Sequence, residues 1–369
     1  MNSDWVRPTN WLRIDGVLDA NAKSEVRGQA MLGGSRLGDI SEMKINRIVA
    51  DGDLDGLLSA AIVRRVWKDI PVLFSHPAEV RRGDVDDWMT RGTAVLDLPF
   101  HPQCGLHIDH HLTNKPTPAQ QDAASVAGCE IIWEDALSAA RVCFNTFHEI
   151  ADLSDIEAWM GMVDKLDGGK ISREEFLSDH PIVWIGRTIS ATDDAYCQTL
   201  LEHIIEGVRP DELVNLQPIS EKIEHSKDEF RRLQSMVDQC TEVVDRMAIV
   251  RLDEKGIRTN GYLVTAHVGE KCDACMIIHG YENVDTDEKW PLSASFYSNS
   301  FLHEGGGLFD LTHMATAFDV DGGGHANACG CRIQALSENG MLEERDIVTT
   351  DVERNIAAWL VKWSGRSRQ

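Results

Sequence analysis

Three aspartates, Asp51, Asp53 and Asp55, alternate with other residues in one short stretch of the chain. Residues 45–50 ahead of them have the apolar, β-branched character of a buried strand, and apolar residues recur at helical spacing after Gly56. The carboxylates therefore lie on a strand-to-helix turn, where α/β sheets usually place their ligand sites. Like charges this close resist ionising together unless a multivalent cation neutralises them, and oxygen ligands suit Mg²⁺ or Mn²⁺. The simpler alternative is a solvated acidic turn.

Two further strand-like segments also end in titratable residues. Residues 93–98 carry Asp97 near their end, and the next segment ends in Asp109, His110 and His111. Alternation of such strands with helical stretches predicts an α/β fold with a parallel sheet and helices on both faces. We therefore expect these carboxylates and histidines to meet at one edge of the sheet.

The remainder of the chain reads as a helical part followed by a second strand-rich part. Residues 133–192 are expected to be helical, with Asp164 at the end of an apolar helix, and residues 211–244 form a strongly amphipathic helix that we interpret as a linker. Strands are predicted at 247–252, 275–279 and 292–297, and helices at 308–318 and 352–363. This second, smaller α/β domain contains a glycine-rich motif formed by Gly322, Gly323, Gly324 and His325.

Length and charge limit the classes of partner. At 369 residues the chain exceeds one ordinary core, which favours two domains. A formal net charge of -24 argues against stable binding of duplex DNA, which needs a basic surface, but a small anionic substrate is compatible because metal ions reverse the sign locally. The nine irregularly spaced cysteines do not indicate a disulfide framework. No apolar run has the length of a signal peptide or membrane span, so the expected compartment is the cytoplasm.

The order of the motifs resembles that of the DHH phosphoesterase superfamily, over about residues 44–335. The resemblance rests on Asp-x-Asp-x-Asp-Gly, the strand-terminal Asp97, Asp-His-His, Gly-x-x-Asp at 161–164 and Gly-Gly-Gly-His. It implies two divalent ions, usually Mn²⁺ with Mg²⁺ as the alternative, in an N-terminal domain, and a C-terminal domain that holds the substrate. The implied division is an extension at 1–43, a metal-binding catalytic domain at 44–200, a helical linker at 201–246 and a substrate-binding domain at 247–369.

The resemblance also assigns roles to individual residues. Asp53 and Asp55 would each face one metal ion, and Asp97 would bridge the two. The second ion would be completed by His110 and Asp164. The other two residues of the Asp-His-His motif, Asp109 and His111, would orient neighbours or contact phosphate, and Gly322, Gly323, Gly324 and His325 would hold a substrate phosphate through backbone N–H groups and the imidazole.

Two departures from the family pattern bear on the site. The oligoribonuclease and pyrophosphatase branches have a histidine four residues before the first Asp of the metal pair, where this chain has Val49. Asp51 precedes the pair instead, as in the RecJ-like branch, and would supply the missing ligand or support one. Relatives also often carry a substrate-binding arginine in the strand before the glycine-rich motif, where this chain reads Phe296-Tyr297-Ser298.

The function implied is hydrolysis of phosphodiester or terminal phosphate bonds in short nucleotides or oligonucleotides by a water activated between two metals. The alternatives are a RecJ-like exonuclease on single-stranded DNA, a pyrophosphatase or polyphosphatase, and a catalytically inactive scaffold of the same superfamily. The retained ligand set favours an enzyme over the scaffold. A homodimer is left open.

Two weaker motifs have competing interpretations. Residues 164–176 resemble a calcium EF-hand loop, but Leu166 and Gly168 stand where oxygen ligands are needed, so a capping box between Ser172 and Glu175 is the preferred interpretation. A zinc site is the alternative to buried free thiols for four cysteines of the second domain, Cys272, Cys275, Cys329 and Cys331.

Overall fold

Five parallel strands form the first sheet of the computed structural model, which describes residues 40–366 apart from 254, 256, 283–288 and 304–306. Residues 1–39, most of the predicted N-terminal extension, lie outside the described residues. The strand order is β2-β1-β3-β4-β5, and every neighbouring pair is parallel. The strands are β1 (Arg47–Asp51), β2 (Val72–Ser75), β3 (Thr93–Leu96), β4 (Leu106–Asp109) and β5 (Glu130–Trp133).

Helices cover both faces of this sheet because successive strand residues point to opposite sides. Ile48 belongs to the large apolar cluster on one face, and Val49 belongs to a smaller cluster on the other. The predicted parallel sheet with helices on both faces is thereby confirmed. The helices are α1 (Leu54–Val66), α2 (Pro77–Arg82), α3 (Pro118–Val126), α4 (Ala139–Phe147), α5 (Glu157–Asp167), α6 (Arg173–Phe176), α7 (Pro181–Thr188), α8 (Asp194–Ile205) and α9 (Pro210–Leu213), with 3₁₀ turns at Asp86–Trp88 and Leu112–Asn114.

A second, mixed sheet of six strands follows the long helix α10 (Ile219–Cys240). Its order is β10-β11-β9-β8-β7-β6; β7 and β8 are parallel, and the other neighbours are antiparallel. The predicted second α/β unit is thus confirmed as a fold class. Its elements are β6 (Thr241–Val244), β7 (Met247–Leu252), α11 (Gly261–Val268), β8 (Ala274–Glu282), β9 (Lys289–Ser298), α12 (Thr312–Ala315), β10 (Gly323–His325), β11 (Ala328–Arg332) and α13 (Thr349–Ser364), with a 3₁₀ turn at Gly269–Lys271.

Helix α10 packs against both sheets' cores through residues seven positions apart. Ile223 and Phe230 belong to the large cluster of the first part, and Phe230 meets Trp184 edge to face at 5.7 Å. Val237, two turns later, belongs to a cluster on the second sheet. The two parts also meet directly, since the rings of Phe176 and Phe301 lie 5.3 Å apart.

The observed elements differ from the sequence predictions at two places. β5 begins at Glu130, where no strand was predicted, because a four-residue apolar run is too short to show a period. The helix predicted at 308–318 is confined to one turn, α12. The glycine-rich motif, for which no element is predicted, includes the edge strand Gly323–His325, where Gly324 adopts a φ of +140°, a conformation that L side chains rarely adopt. Within the described residues, no helix has the length and apolar character needed to cross a membrane.

Candidate metal centre

The carboxyl ends of β1, β3 and β4 and the end of α5 bring eight aspartates and histidines together. Their ligand atoms form three overlapping groups in which all atoms lie within 4.8 Å of one another. Asp97 belongs to two of the groups and His110 to two, which makes the groups parts of one centre. The groups are Asp51 with Asp53 and Asp97; Asp55 with His110 and Asp167; and Asp97 with Asp109, His110 and His111.

The acidic turn is fixed by its glycines and by the N-termini of two helices. Asp53 caps α1, and its Oδ1 accepts a hydrogen bond from the backbone N–H of Gly56 at 2.9 Å. Both Asp55 oxygens accept backbone N–H bonds from the first residues of α4, Ala139 at 2.7 Å and Ala140 at 2.8 Å. A Cβ on Gly56 would lie 2.3 Å from the carbonyl oxygen of Asp51, so only glycine allows the helix to start this close to β1.

Asp97 occupies the middle of the centre with a strained backbone. Its φ is +56°, a left-handed value that costs a non-glycine residue about 1–3 kcal/mol, and its side chain is buried. Its Oδ1 has no hydrogen-bond partner within the described part of the chain, although His111 Nδ1 lies 3.5 Å away and His110 Nε2 3.8 Å away. A buried carboxylate oxygen without a donor is stabilised either by a bound cation or by protonation of the carboxyl group.

His110 is oriented so that one ring nitrogen faces three carboxylates. Its Nδ1–H donates to the carbonyl oxygen of Ala136 at 3.1 Å, so in the neutral ring Nε2 carries the lone pair that a metal ion would use. Nε2 lies 3.0 Å from Asp167 Oδ2 and 3.8 Å from Asp55 Oδ2. Neither Nε2 nor Asp167 Oδ2 makes a hydrogen bond with any described residue, and both atoms are buried. This is the arrangement expected of two ligands that share an ion.

Asp109 has a different role, because its hydrogen-bonding capacity is filled by neighbours. Its Oδ1 accepts from the backbone N–H groups of His110 at 2.8 Å and His111 at 3.1 Å, and from His111 Nδ1–H at 2.9 Å. Its Oδ2 accepts from Asn114 Nδ2 at 2.6 Å. Burial raises the pKa of Asp109, but the hydrogen bonds from His111 outweigh that effect and lower it below the ordinary value. Asp109 therefore orients the two histidines.

The concentration of negative charge shifts the other acids upward. Burial, followed by the charges of neighbouring aspartates, raises the pKa of both Asp55 and Asp97 well above the ordinary value. Burial alone would lower the pKa of His110, but the carboxylate of Asp167 outweighs it and raises that pKa to about 10. Protons bound to these groups would relieve part of the repulsion that a metal ion would also neutralise.

The structure does not bring Asp164 into these groups. Its Oδ2 accepts from Arg141 Nε at 3.1 Å and Nη2 at 2.6 Å, and its Oδ1 accepts from Ser138 Oγ at 2.8 Å. Asp167, three residues further along the same face of α5, lies beside His110 instead. The Gly-x-x-Asp motif points to Asp164, whereas the described group contains Asp167, and helical spacing alone does not separate residues three apart.

The predicted substrate motif lies on the second sheet. Gly323, Gly324 and His325 pair with Gly330, Cys329 and Ala328 of β11, and His325 is exposed. A Cβ on Gly322 would lie 2.3 Å from the carbonyl oxygen of Ala315, whereas a Cβ on Gly323 would meet no heavy atom within 4 Å. Within this motif, Gly323 is therefore the position at which an added side chain would meet no neighbouring atom.

The weaker motifs are resolved by their contacts. Ser172 caps α6 and forms the predicted capping box with Glu175, which confirms that interpretation of residues 164–176. The thiols of the second sheet are buried and free, and no candidate metal group among the described residues contains them. These thiols are Cys272, Cys275, Cys329 and Cys331.

The donor set fits divalent ions. Carboxylate oxygens suit Mg²⁺, Ca²⁺ or Mn²⁺, whereas imidazole nitrogen suits the transition metals, so a mixed set of Asp and His is compatible with Mn²⁺. Three buried ligand atoms, Asp97 Oδ1, His110 Nε2 and Asp167 Oδ2, have unused acceptor capacity within the described residues. Of the ligands predicted from the sequence, Asp51, Asp53, Asp55, Asp97 and His110 converge, with Asp167 added.

No family model matches the chain, and no curated relative matches it. Among solved structures it is similar to a pGpG-specific phosphodiesterase from Vibrio cholerae, with a TM-score of 0.67 and 19% identity over 87% of this chain and 99% of that one. It also resembles the DHH domain of a member of the S1p family of ribosomal proteins, with a TM-score of 0.53 and 10% identity over 90% of this chain and 89% of that one.

A third similar structure is RecJ from Thermus thermophilus in complex with Mn²⁺, with a TM-score of 0.50 and 14% identity. The match covers 88% of this chain and 54% of RecJ. All three sequence identities are low, so these comparisons show similarity of fold and not of function. The chain therefore shares the fold of these structures, among them a DHH domain and RecJ.

Proposed function

We propose that this protein is a metal-dependent hydrolase of phosphodiester or terminal phosphate bonds in short nucleotides, with Mn²⁺ as the working ion. The observation that carries the proposal is the convergence of Asp97 Oδ1, His110 Nε2 and Asp167 Oδ2 as buried acceptors without donors among the described residues. A structural cluster would satisfy such atoms internally. The similar fold of a pGpG-specific phosphodiesterase supports the proposal.

The centre divides into two sets of ligands. Asp51, Asp53 and Asp97 would hold one ion; Asp55, His110 and Asp167 would hold the other, with Asp97 adjoining both sets. Two ions held there would activate a water molecule and neutralise charge on the attacked phosphate.

His111 serves the same reaction as a hydrogen-bond donor. Burial lowers its pKa, but the hydrogen bond from its Nδ1 to Asp109 outweighs burial and leaves that pKa raised. Asp109 holds the Nδ1 proton, and in the charged form of the ring the Nε2 proton would donate to a phosphate oxygen of the substrate. Asp109 and His111 therefore act on the substrate side of the centre.

Substrate length follows from charge and from the two-part architecture. We place catalysis in about residues 44–200 and substrate binding in residues 247–369, with Gly322, Gly323, Gly324 and His325 holding a phosphate remote from the one attacked. The net charge of -24 repels a long polyanion outside the site. We therefore expect two- to five-nucleotide substrates to be cleaved faster than long single strands at equal concentration of ends.

A RecJ-like exonuclease on single-stranded DNA is the second candidate. It is favoured by the structural similarity to RecJ, of which the chain spans about half. Equal or faster turnover of long single strands, with many cuts per encounter, would support it.

The test is hydrolysis by the full chain with Mn²⁺, Mg²⁺ or EDTA. The panel is linear and cyclic dinucleotides, adenosine bisphosphate, polyphosphate and single-stranded DNA. We expect Mn²⁺-dependent turnover of a short nucleotide that Asp97→Asn removes and that Asp122→Asn, at an exposed position on α3, leaves intact. Metal-independent turnover, or none on any substrate, would refute the proposal.

A further inference from the structure

Trp133 lies at the rim of the metal centre but has no role in the chemistry described above. It is the last residue of β5, an edge strand, and it stands opposite Asp109 in the parallel pairing. Its indole Nε1–H donates to the carbonyl oxygen of His111 at 2.9 Å. The ring is therefore fixed to the backbone that carries the catalytic histidines.

The ring is half-buried, yet it is not part of the hydrophobic core as far as the structure describes it. Its two predecessors on β5 each pack into a cluster, Ile131 on one face of the sheet and Ile132 on the other. Trp133 belongs to none of the four apolar clusters found among the described residues. Packing alone thus gives no reason for a large aromatic side chain at this position.

A cation accompanies the ring. Lys115 Nζ lies 4.5 Å from the Trp133 ring centroid, within cation–π distance, and its side chain is exposed. Lys115 directly follows the 3₁₀ turn that begins after His111. In the sequence it is the only Lys or Arg between Arg91 and Arg141. In a chain of net charge -24, Lys115 thus brings a basic side chain to an exposed loop four positions after His111.

A flat aromatic surface and a mobile ammonium group match the two parts of a nucleotide. Bases stack on Trp rings regardless of sequence, because every base has a π-face. An ammonium group on a flexible stem pairs with phosphate as a point charge. We propose that Trp133 and Lys115 form a nucleotide platform: the ring stacks a base of the substrate, and Lys115 swings from the ring to a phosphate oxygen, while the attacked phosphate lies at the metal centre. The platform rests on the proposed hydrolysis of nucleotides. It would give the metal centre a preference for substrates that carry a base.

The test compares two ligands that differ only in the base, guanosine 5′-monophosphate and ribose 5-phosphate. Calorimetry on the full chain with Mn²⁺ gives both affinities, with released phosphate monitored so that only intact ligand is counted. We expect the wild type to bind the nucleotide about 5- to 150-fold more tightly, the range measured for one stacked base. Trp133→Ala should abolish this preference, Trp133→Phe should keep most of it, and Lys115→Ala should weaken both ligands.

Trp88→Ala is the matched control, because Trp88 is another half-buried tryptophan of the first part, packed against an apolar cluster. It should leave the preference unchanged. A preference retained by Trp133→Ala would overturn the platform. The platform would also be overturned if Trp133→Ala lost affinity equally for both ligands and for Mn²⁺. The ring would then serve only to support His111. If the wild type bound neither ligand and hydrolysed no nucleotide, both the platform and the proposed function would be refuted. If nucleotides were hydrolysed and Trp133→Ala kept the preference unchanged, only the platform would be refuted.

Discussion

Two aspartates on one face of α5, Asp164 and Asp167, have different contacts, and we propose only Asp167 as a metal ligand. Asp167 Oδ2 lies 3.0 Å from His110 Nε2 without a hydrogen bond, whereas Asp164 is held by Arg141 and Ser138. The variants Asp167→Asn and Asp164→Asn make the same chemical change three residues apart. They should therefore fail in different ways.

For Asp167→Asn the expected loss is in metal affinity. Removal of groups that only orient a ligand costs about 10- to 100-fold in affinity, so loss of a direct carboxylate ligand should cost at least about 100-fold. Turnover should fall in parallel at limiting Mn²⁺ and recover in part at high Mn²⁺. The folded structure should persist, because the acidic turn at residues 51–56 is held separately. Asp55 in that turn accepts hydrogen bonds from the backbone N–H groups of Ala139 and Ala140.

For Asp164→Asn the expected loss is in stability. Hydrogen bonds to charged groups contribute about 1.5–3 kcal/mol, and the Arg141 side chain, which is 31% exposed, regains some hydration when the pair is broken. The lower end of that range corresponds to a fall in Tm of a few degrees for a protein of this size. Mn²⁺ affinity should change by less than about 10-fold, the smallest effect of an orienting residue.

Calorimetric titration with Mn²⁺ and thermal unfolding in EDTA measure both quantities on both variants. Greater loss of Mn²⁺ affinity in Asp164→Asn than in Asp167→Asn would show that the assignment of the ligand is reversed. Equal loss in both would show that the pair with Arg141 also determines the metal site.

Further predictions concern other parts of the site. Asp97→Ala should abolish turnover while the fold persists, and retention of a tenth of the activity would contradict its central role, since losing it should cost well over ~1.4 kcal/mol. His325→Ala should lower kcat/KM for nucleotides by about 10- to 150-fold but leave bis-nitrophenyl phosphate hydrolysis and Mn²⁺ content nearly unchanged; loss of Mn²⁺ would refute this. In EDTA, the raised pKa of His110, about 10, stabilises the folded state below its unfolded value near 6.5, and this stability is lost between the two values. The Tm should therefore fall from pH 6.5 to 10, chiefly in the metal-free wild type and much less in His110→Asn.

Much of the site could be predicted because α/β folds place ligand-binding residues at the carboxyl ends of their parallel strands. Asp51, Asp97 and Asp109 follow strands, and parallel strands end at one edge, so their convergence did not require knowledge of any side-chain contact. Asp167 could not be predicted in this way. Its partner His110 is fixed through the carbonyl of Ala136, a contact between distant segments that no local pattern records.

The second sheet shows a different limit on what can be predicted from the sequence. The strands β7, β8 and β9 have long apolar runs and were predicted near their observed positions. No strand is predicted at the glycine-rich motif, because glycine has little strand propensity. Its pairing with β11 is imposed by tertiary contacts, and the φ of +140° at Gly324 requires glycine there. Trp133 was also missed, because the short β5 gives no period by which its orientation could be predicted.

The convergence of the ligands also bears on folding. The candidate ligands run from Asp51 to Asp167, 116 positions apart, and the segments that carry them pair through three separate parallel strands. Such non-local contacts form late and slowly, because loop closure must precede the gain from pairing. The centre should therefore be absent from any fragment that ends before α5. A pulse of Mn²⁺ during refolding would then report completion of the whole first sheet, and chelation should raise the unfolding rate rather than slow folding, since the ligands meet after the transition state.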